Sequence, residues 1–173
     1  TVSGIRTVTY ANGRVHTGPV TLEDAKGRIQ LTVAGIEVAL GPGGKPSEGR
    51  FDGATLLIHR EHRISTRGIR FEDRGRRIVM DEVRLDGPLA GGAAKTVTLD
   101  LRRGEVLATE LRLSSTRGGG LALAAGQLRA ECNLERLLRT HKKADALPDT
   151  LTLHRLALHT ARGQGSAGTV QLA

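Results

Sequence analysis

Apolar and polar residues alternate with a period of two along most of the chain. In TVTLDL, residues 96–101, the side chains of Val97 and Leu99 fall on one face of an extended strand, and the threonines fall on the other. The same alternation recurs in residues 28–33, 35–40, 83–87, 108–115, 151–153, 156–158 and 169–172. Glycine-containing turn sequences separate these stretches, and Asn12-Gly13 is a favoured two-residue hairpin turn. The pattern predicts an all-β chain of antiparallel strands, each with one apolar face.

One segment departs from this alternation. In NLERLLRTHKK, residues 133–143, the side chains of Leu134, Leu137 and Leu138 have the i, i+3, i+4 spacing of a helix face. Asn133 is a suitable residue to cap the amino end of such a helix. We therefore predict one short helix near residues 133–143, laid over an end or a seam of the sheet.

An internal repeat is also visible along the chain. Four stretches align as an apolar-x-apolar strand, a polar turn with glycine and two more short alternating strands. Leu22, Phe71, Leu113 and Leu158 occupy the same place in this alignment, at intervals of roughly 45 residues. We predict a single β-rich domain over residues 1–173, built of units at 13–58, 59–103 and 104–148 with a partial unit at 149–173.

The apolar residues are almost entirely aliphatic. The chain has no Trp, one Tyr and two Phe, while Gly reaches 23, so we expect many turns and an interior of Leu, Val, Ile and Ala. The formal net charge of +8 favours polyanions as partners, but an Arg-, Gly- and Ala-rich composition is also what a high-GC genome produces. The single cysteine, Cys132, excludes an internal disulfide and a thiolate metal cluster.

The sequence carries no clear catalytic or metal-binding motif. His59 and His62 are separated by an odd number of residues, and so are His154 and His159. Each pair is expected to point to opposite faces of a strand, and therefore to chelate poorly, unless a bulge intervenes. Cys132 has no convincing base beside it. We predict a protein that is not an enzyme and that has no cofactor, no catalytic residue and no metal site.

The stretch HREHRISTRGIRFEDRGRRI, residues 59–78, combines a strand pattern with many charges. Ile64 has one parity and Ile69 and Phe71 have the other, and a switch of parity at Gly68 is typical of a β-bulge. The arginines are then expected on an exposed face or edge, either as solubilising charges or as a rim that binds anionic groups. The candidates for binding anionic groups are Arg60, Arg63, Arg67, Arg70, Arg74, Arg76 and Arg77.

Three segments carry a resemblance to known families. VRLDGPL (83–89) and TVTLDLRRGEVLATELRLSS (96–115) resemble the lipopolysaccharide-transport β-jellyroll family, in which an apolar strand is followed by DGP and another strand. Residues 128–158 resemble the AsmA and TamB type of repeating β-groove lipid-bridge proteins, with an L-x-x-L-L turn and an L-x-L-x-x-L-x-L strand pair. The resemblance covers residues 13–172. It implies an elongated antiparallel β-jellyroll or β-groove of repeated strand units, and it transfers no catalytic residue.

The resemblance and the alternation together suggest what the apolar face does. An aliphatic sheet face must be covered by a second sheet, by closure into a barrel or by a lipid. We expect a cell-envelope or periplasmic protein that binds or passes lipid or lipopolysaccharide. An anchor in a segment outside this sequence is compatible with that expectation. A cytoplasmic location is the alternative. The lipid-facing candidates are Val20, Leu22, Ile29, Leu31, Ile36, Val38, Ile69, Phe71, Val83, Leu85, Val97, Leu99, Leu111, Leu113, Leu121, Leu123, Leu156 and Leu158.

Two other functions compete with lipid binding. A structural β-sheet protein could polymerise or dock edge to edge, and the same edge pairing would join this chain to other β-groove proteins. Binding of a polyanion through residues 59–78 is the second alternative. Nucleic acid is a disfavoured partner, because single-strand readers stack bases on aromatic rings and only Phe71 lies in that stretch.

Overall fold

The fold is one antiparallel β-sheet, seen in a computed structural model that describes residues 2–3, 8–59, 61–115, 120–131 and 149–172. The all-β prediction is confirmed. The helix predicted near 133–143 lies outside the described residues. The strands are β1 (Val2–Ser3), β2 (Val8–Ala11), β3 (Arg14–Thr17), β4 (Val20–Glu23), β5 (Ile29–Leu40), β6 (Pro46–Ile58), β7 (His62–Glu72), β8 (Arg77–Asp86), β9 (Ala90–Asp100), β10 (Glu105–Ser115), β11 (Ala122–Glu131), β12 (Thr150–Thr160) and β13 (Gly163–Leu172).

The strands follow one another across the sheet in chain order. From β5 to β13 each strand pairs antiparallel with the next, which makes an elongated open meander. At the start of the sheet, β3 pairs with the second part of β5 and β4 pairs with its first part. Gly18 and Pro19 separate β3 from β4, and proline has no N–H to continue a ladder. β2 then pairs with β3, and β1 with β4.

Glycine-containing turns at Asn12-Gly13 and at the end of the basic stretch connect strands of this sheet. Asn12 and Gly13 have φ of 50° and 74°, as a two-residue turn with two left-handed positions requires, and they join β2 to β3. Asp73–Gly75 forms a short 3-10 turn between β7 and β8, in which Arg74 has φ of 57°. EDRGR is thus one of the glycine-containing sequences that form a turn, as the sequence pattern predicts.

From β5 to β13, the register pairing between neighbouring strands is interrupted at one level of the sheet. In β8 and β9, Asp81 is the register partner of Thr96 and Val83 is the partner of Ala94, but the residues between them are not partners. Similar interruptions form one line across the sheet, which we call the transverse row: Ala34, Gly53, Arg67, Glu82, Lys95, Glu110, Gly126, Arg155 and Gly168. On alternate strands the row residue has a left-handed backbone, with φ of 58° at Gly53, 51° at Glu82, 48° at Glu110 and 54° at Arg155.

The transverse row inverts the alternation of side chains within each strand. Leu153 and Leu156 in β12 are three residues apart, so a regular strand would point them to opposite faces. Both instead pack in one apolar cluster with Ala125, because the left-handed Arg155 lies between them. The sequence LTLHRLAL is therefore one strand that keeps its leucines on a single face, and not the pair of strands that the sequence suggested.

This inversion corrects three further expectations. Residues 28–33 and 35–40, expected as separate strands, form the single strand β5. The parity switch near Gly68 is confirmed, but the bulge is wrong: Gly68 pairs with Asp52 and Thr66 pairs with Ala54 in one unbroken register, so neither strand has an extra residue. His154 and His159 lie on the same face, because Arg155 inverts the strand between them. The units of roughly 45 residues stay a prediction.

The sheet has a thin core. Among the described residues, ten apolar side chains are buried and no polar side chain is. They are Val20, Val33, Ala54, Val79, Ala94, Ala108, Ala125, Ala130, Leu153 and Leu156. Half of them are alanines, whose small side chains bury little area. Most of the larger aliphatic side chains keep partial contact with solvent.

Candidate functional site

The transverse row divides the sheet into two parts. We call half I the part of the strands between the row and the turns at Pro42–Gly44 and Asp73–Gly75. Half II is the part between the row and the connections from β4 to β5 and from β6 to β7. Within each half the alternation is regular, so register partners show which side chains share a face.

Apolar residues form continuous ladders across both halves. A ladder in half I joins Ile36, Phe51, Ile69, Met80, Val97, Ala108, Leu128, Leu153 and Val170. A ladder in half II joins Leu22, Leu31, Leu56, Ile64, Leu85, Gly92, Leu113, Leu123, Leu158 and Gly165. One further, mostly apolar, row of residues lies beside each of them. Because cluster residues from both halves pack together, the ladders share one side of the sheet, which we call the apolar face.

The lipid-facing candidates from the sequence gather on this apolar face. Seventeen of them lie on it by register, and Leu121 directly precedes β11 at its edge. Val20 and Leu156 are buried, whereas Leu22, Ile29 and Leu121 are 40%, 46% and 48% exposed. The described residues therefore leave much of the apolar face uncovered.

A cleft opens at the edge of the apolar face in half I. Phe51 and Phe71 meet edge to face, with ring centroids 4.9 Å apart. Together with Val38 they line a cleft of about 300 Å³, and Arg74 lies at its edge. Gly49 is the register partner of Phe71, and a Cβ there would lie 3.6 Å from the ring. Glu48 lines the same cleft, so residues of both charge signs border its apolar surface.

Charged pairs cover the opposite side of half I. Arg14 bonds to Glu37, and Arg70 donates to Asp81 at 2.7 Å. The hydrogen bond from Arg14 lowers the pKa of Glu37. Arg129 donates to Glu105 at 3.0 Å. Since these register neighbours alternate with the apolar ladders, half I presents one mainly apolar side and one mainly polar side, on which Val79 is the buried apolar exception.

The transverse row itself carries exposed charges of alternating sign. Arg67 donates to Glu82 at 2.8 Å, and Lys95 donates to Glu110 at 2.7 Å. The hydrogen bond from Lys95 lowers the pKa of Glu110, and the hydrogen bond that Arg67 donates to Glu82 raises the pKa of Arg67. All four side chains are more than half exposed. These pairs tie neighbouring strands together where the ladder hydrogen bonds are interrupted.

The predicted anion-binding arginines do not form one stripe. Arg67 and Arg70 are engaged by Glu82 and Asp81, and Arg63 is exposed in half II. Arg74 lies at the apolar cleft. Arg60 lies outside the described residues.

Two of the predicted arginines belong to a different group. Arg76 and Arg77 line a second cleft in half I together with Arg102 and Arg103, which the sequence reasoning missed. The signal was present in the chain, because DRGRR and LRRG are both arginine-rich turn sequences on neighbouring hairpins.

Comparison with models of known protein families and with curated proteins gives no match for this chain. Within the described ranges, no helix has the length and apolar character to cross a bilayer. The same residues contain no group of three or more His, Cys, Asp or Glu side chains placed to hold a metal ion. The apolar face and the two clefts are thus the features on which a function can be argued.

Proposed function

We propose that this chain is a non-enzymatic protein of the cell envelope that binds lipid acyl chains along its apolar face. The observation that carries the proposal is the set of continuous aliphatic ladders, which the described residues leave partly exposed. Covering such a face with acyl chains is favourable by about 0.8 kcal/mol for each buried CH₂ group. The L-x-L-x-x-L-x-L pattern of the lipid-bridge families, present in β12, supports the same proposal.

The chemistry of the ladders favours a lipid over a protein partner. Protein interfaces are enriched in aromatic residues, Met and Arg at their centres. The apolar face offers mostly Leu, Val, Ile and Ala by register, with Met80 and Tyr10 as exceptions and with Phe51 and Phe71 in one cleft. Many small aliphatic contacts without hydrogen-bonding groups suit a chain of methylenes, which needs area and no specific polar partner.

Photocrosslinking in cells tests the proposal with matched neighbours. A benzophenone amino acid at Leu113 would be placed on the apolar face, whereas the same group at Arg112 would be placed on the opposite face, one residue away. We expect lipid adducts, identified by mass spectrometry, from position 113 and not from position 112. Leu85 and Arg84 provide an independent pair with the same geometry. Adducts of equal yield from both faces, or none from either, contradict the proposal.

Edge-to-edge docking is a second candidate, supported by β13. This strand ends the sheet on one side, and its residues are nearly all exposed, including Leu172 at 57%. A further strand could add to it through main-chain hydrogen bonds. Sedimentation of the wild-type chain over a range of concentrations tests this edge, and we expect self-association that grows with concentration if the edge is used. A wild-type chain that stays monomeric at high concentration excludes self-docking.

A further inference from the structure

Two neighbouring hairpin turns of half I bring four arginines together. Arg76 and Arg77 end the turn between β7 and β8, and Arg102 and Arg103 lie in the turn between β9 and β10. The backbone holds these turns side by side, since the N–H of Leu101 donates to the carbonyl of Arg76 at 2.8 Å. Arg77 is also the last register partner of β9 in this direction.

These side chains line what we call the four-arginine cleft, about 460 Å³ in volume, together with Asp73 and Asp100. The carboxylate of Asp100 is engaged by its own turn: one oxygen accepts the backbone N–H groups of Arg102 at 3.0 Å and Arg103 at 2.9 Å. These hydrogen bonds, chiefly the one from Arg103, lower the pKa of Asp100. The carboxylate is therefore built into the turn and does not close the cleft.

The guanidinium groups keep most of their donors free. Arg103 is 3.9 Å from a carboxylate oxygen of Asp100, and Arg77 is 3.7 Å from one of Glu72, so both contacts are long. Arg76 and Arg102 make no ion pair with any described residue. Four guanidinium groups face two aspartates, and each guanidinium carries five N–H donors.

We propose that the four-arginine cleft binds a terminal phosphate group, as found in a phosphate monoester or pyrophosphate. Arginines from two directions match the several oxygens of such a dianion through paired hydrogen bonds, and the ligand relieves the mutual repulsion of the cations. The phosphate belongs either to a lipid headgroup or to a free anion.

The position of the cleft is compatible with a headgroup. The next register pair inward from Arg77 and Asp100 is Ile78 and Leu99, which are part of the apolar face. Neighbouring residues of a strand point to opposite sides, so Arg77 and Asp100 face away from the apolar ladders, and a phosphate in the cleft would sit at the turns that end the sheet. The inference does not depend on lipid binding, since a free phosphate would occupy the same cleft.

Calorimetric titration with pyrophosphate at about 0.15 M salt, where distant charges are screened, tests the cleft. We expect the double variant R76Q/R102Q to weaken binding by about tenfold or more, because two charge-assisted donors are lost. The control R84Q/R112Q removes the same charge from two exposed arginines of half II, and it should change the affinity by no more than about twofold.

Flotation with phosphatidylcholine vesicles distinguishes the two sources. Vesicles with added phosphatidic acid, a monoester, should bind the wild type and lose R76Q/R102Q if the source is a headgroup, and pyrophosphate should compete. Pyrophosphate binding without vesicle binding keeps the cleft and assigns a free anion. Equal weakening by both double variants, or no binding of either probe to the wild type, overturns the proposal, whatever the crosslinking at Leu113 shows.

Discussion

Half I and half II are built from the same strands, yet their apolar sides are packed differently. Half II holds Val33, which is 2% exposed, and close approaches at Gly92. Half I holds the Phe51–Phe71 pair, the apolar cleft and the four-arginine cleft. The difference indicates that the apolar side of half II is the more tightly packed, and that both clefts lie in half I.

Cavity-forming substitutions should give the largest difference in the free energy of unfolding between the two halves. Leu156 is 7% exposed in the cluster with Ala125 and Leu153, so Leu156→Ala should lower the free energy of unfolding by about 3 kcal/mol. Leu99→Ala in half I should cost only about 1 kcal/mol, because Leu99 is less buried. Urea unfolding of the two variants measures both values. Equal losses would mean that the halves are equally packed.

Two glycines at comparable places of the apolar face sharpen the contrast. A Cβ at Gly92 would lie 2.8 Å from the backbone oxygen of Arg112, so Gly92→Ala forces the strands of half II apart and should cost about 2 kcal/mol. In half I the new methyl of Gly49→Ala would meet Phe71 at an ordinary contact distance of 3.6 Å and should change stability by less than about 0.5 kcal/mol. Thermal unfolding of both variants measures these changes in stability. A Gly92→Ala variant as stable as the wild type would contradict the tight packing of half II.

The boundary between the halves can be tested at its own glycines. Gly53 has φ of 58°, which any L side chain resists, so Gly53→Ala should lower stability by about 1 kcal/mol. Gly168 lies in the same transverse row on β13, and a Cβ there would meet nothing within 4 Å. Gly168→Ala should therefore be neutral or slightly stabilising. If the two alanines have the same effect on the denaturation midpoint, the row residues do not alternate between left-handed and extended backbone from strand to strand.

Acid should lower the stability of both halves by similar, small amounts. Asp24 in half II accepts the N–H of Ile29 at 2.9 Å, and this bond lowers its pKa, just as the bond from Arg103 lowers the pKa of Asp100 in half I. A lowered pKa adds stability above the ordinary value of 3.8, and that stability is lost as the pH falls through the folded-state pKa. Asp24→Asn and Asp100→Asn should each reduce the amount by which the free energy of unfolding falls as the pH is lowered through the folded-state pKa of the replaced carboxyl. Unfolding curves recorded between neutral and acid pH measure it, and unchanged slopes would contradict the role of these turns.

The sequence carried most of the information about the sheet. Alternation identified the strands, and Asn12-Gly13 identified a hairpin, because both signals depend on neighbouring residues alone. The switch of parity at Gly68 was visible as well. The structural cause of that switch could not be read from the sequence. An inversion and a bulge give the same pattern of apolar residues in one strand, and they differ only in the register with the next strand.

The candidate site was predictable where it follows the alternation. The lipid-facing candidates share a face because each belongs to an apolar-x-apolar pair of one strand. The arginines were harder, because nearness in sequence suggested one group over residues 59–78. The sheet instead separates Arg67 from Arg76 by a turn and joins Arg76 to Arg102 across two hairpins.

The sequence by itself determined that this protein is an aliphatic, antiparallel sheet with one apolar and one polar side, because alternation along a strand needs no knowledge of its neighbours. The tertiary structure alone decided that all the strands invert at one level and that two distant arginine pairs meet. Both depend on which residues lie opposite each other, and that is set by the register of hydrogen bonds between strands far apart in the chain.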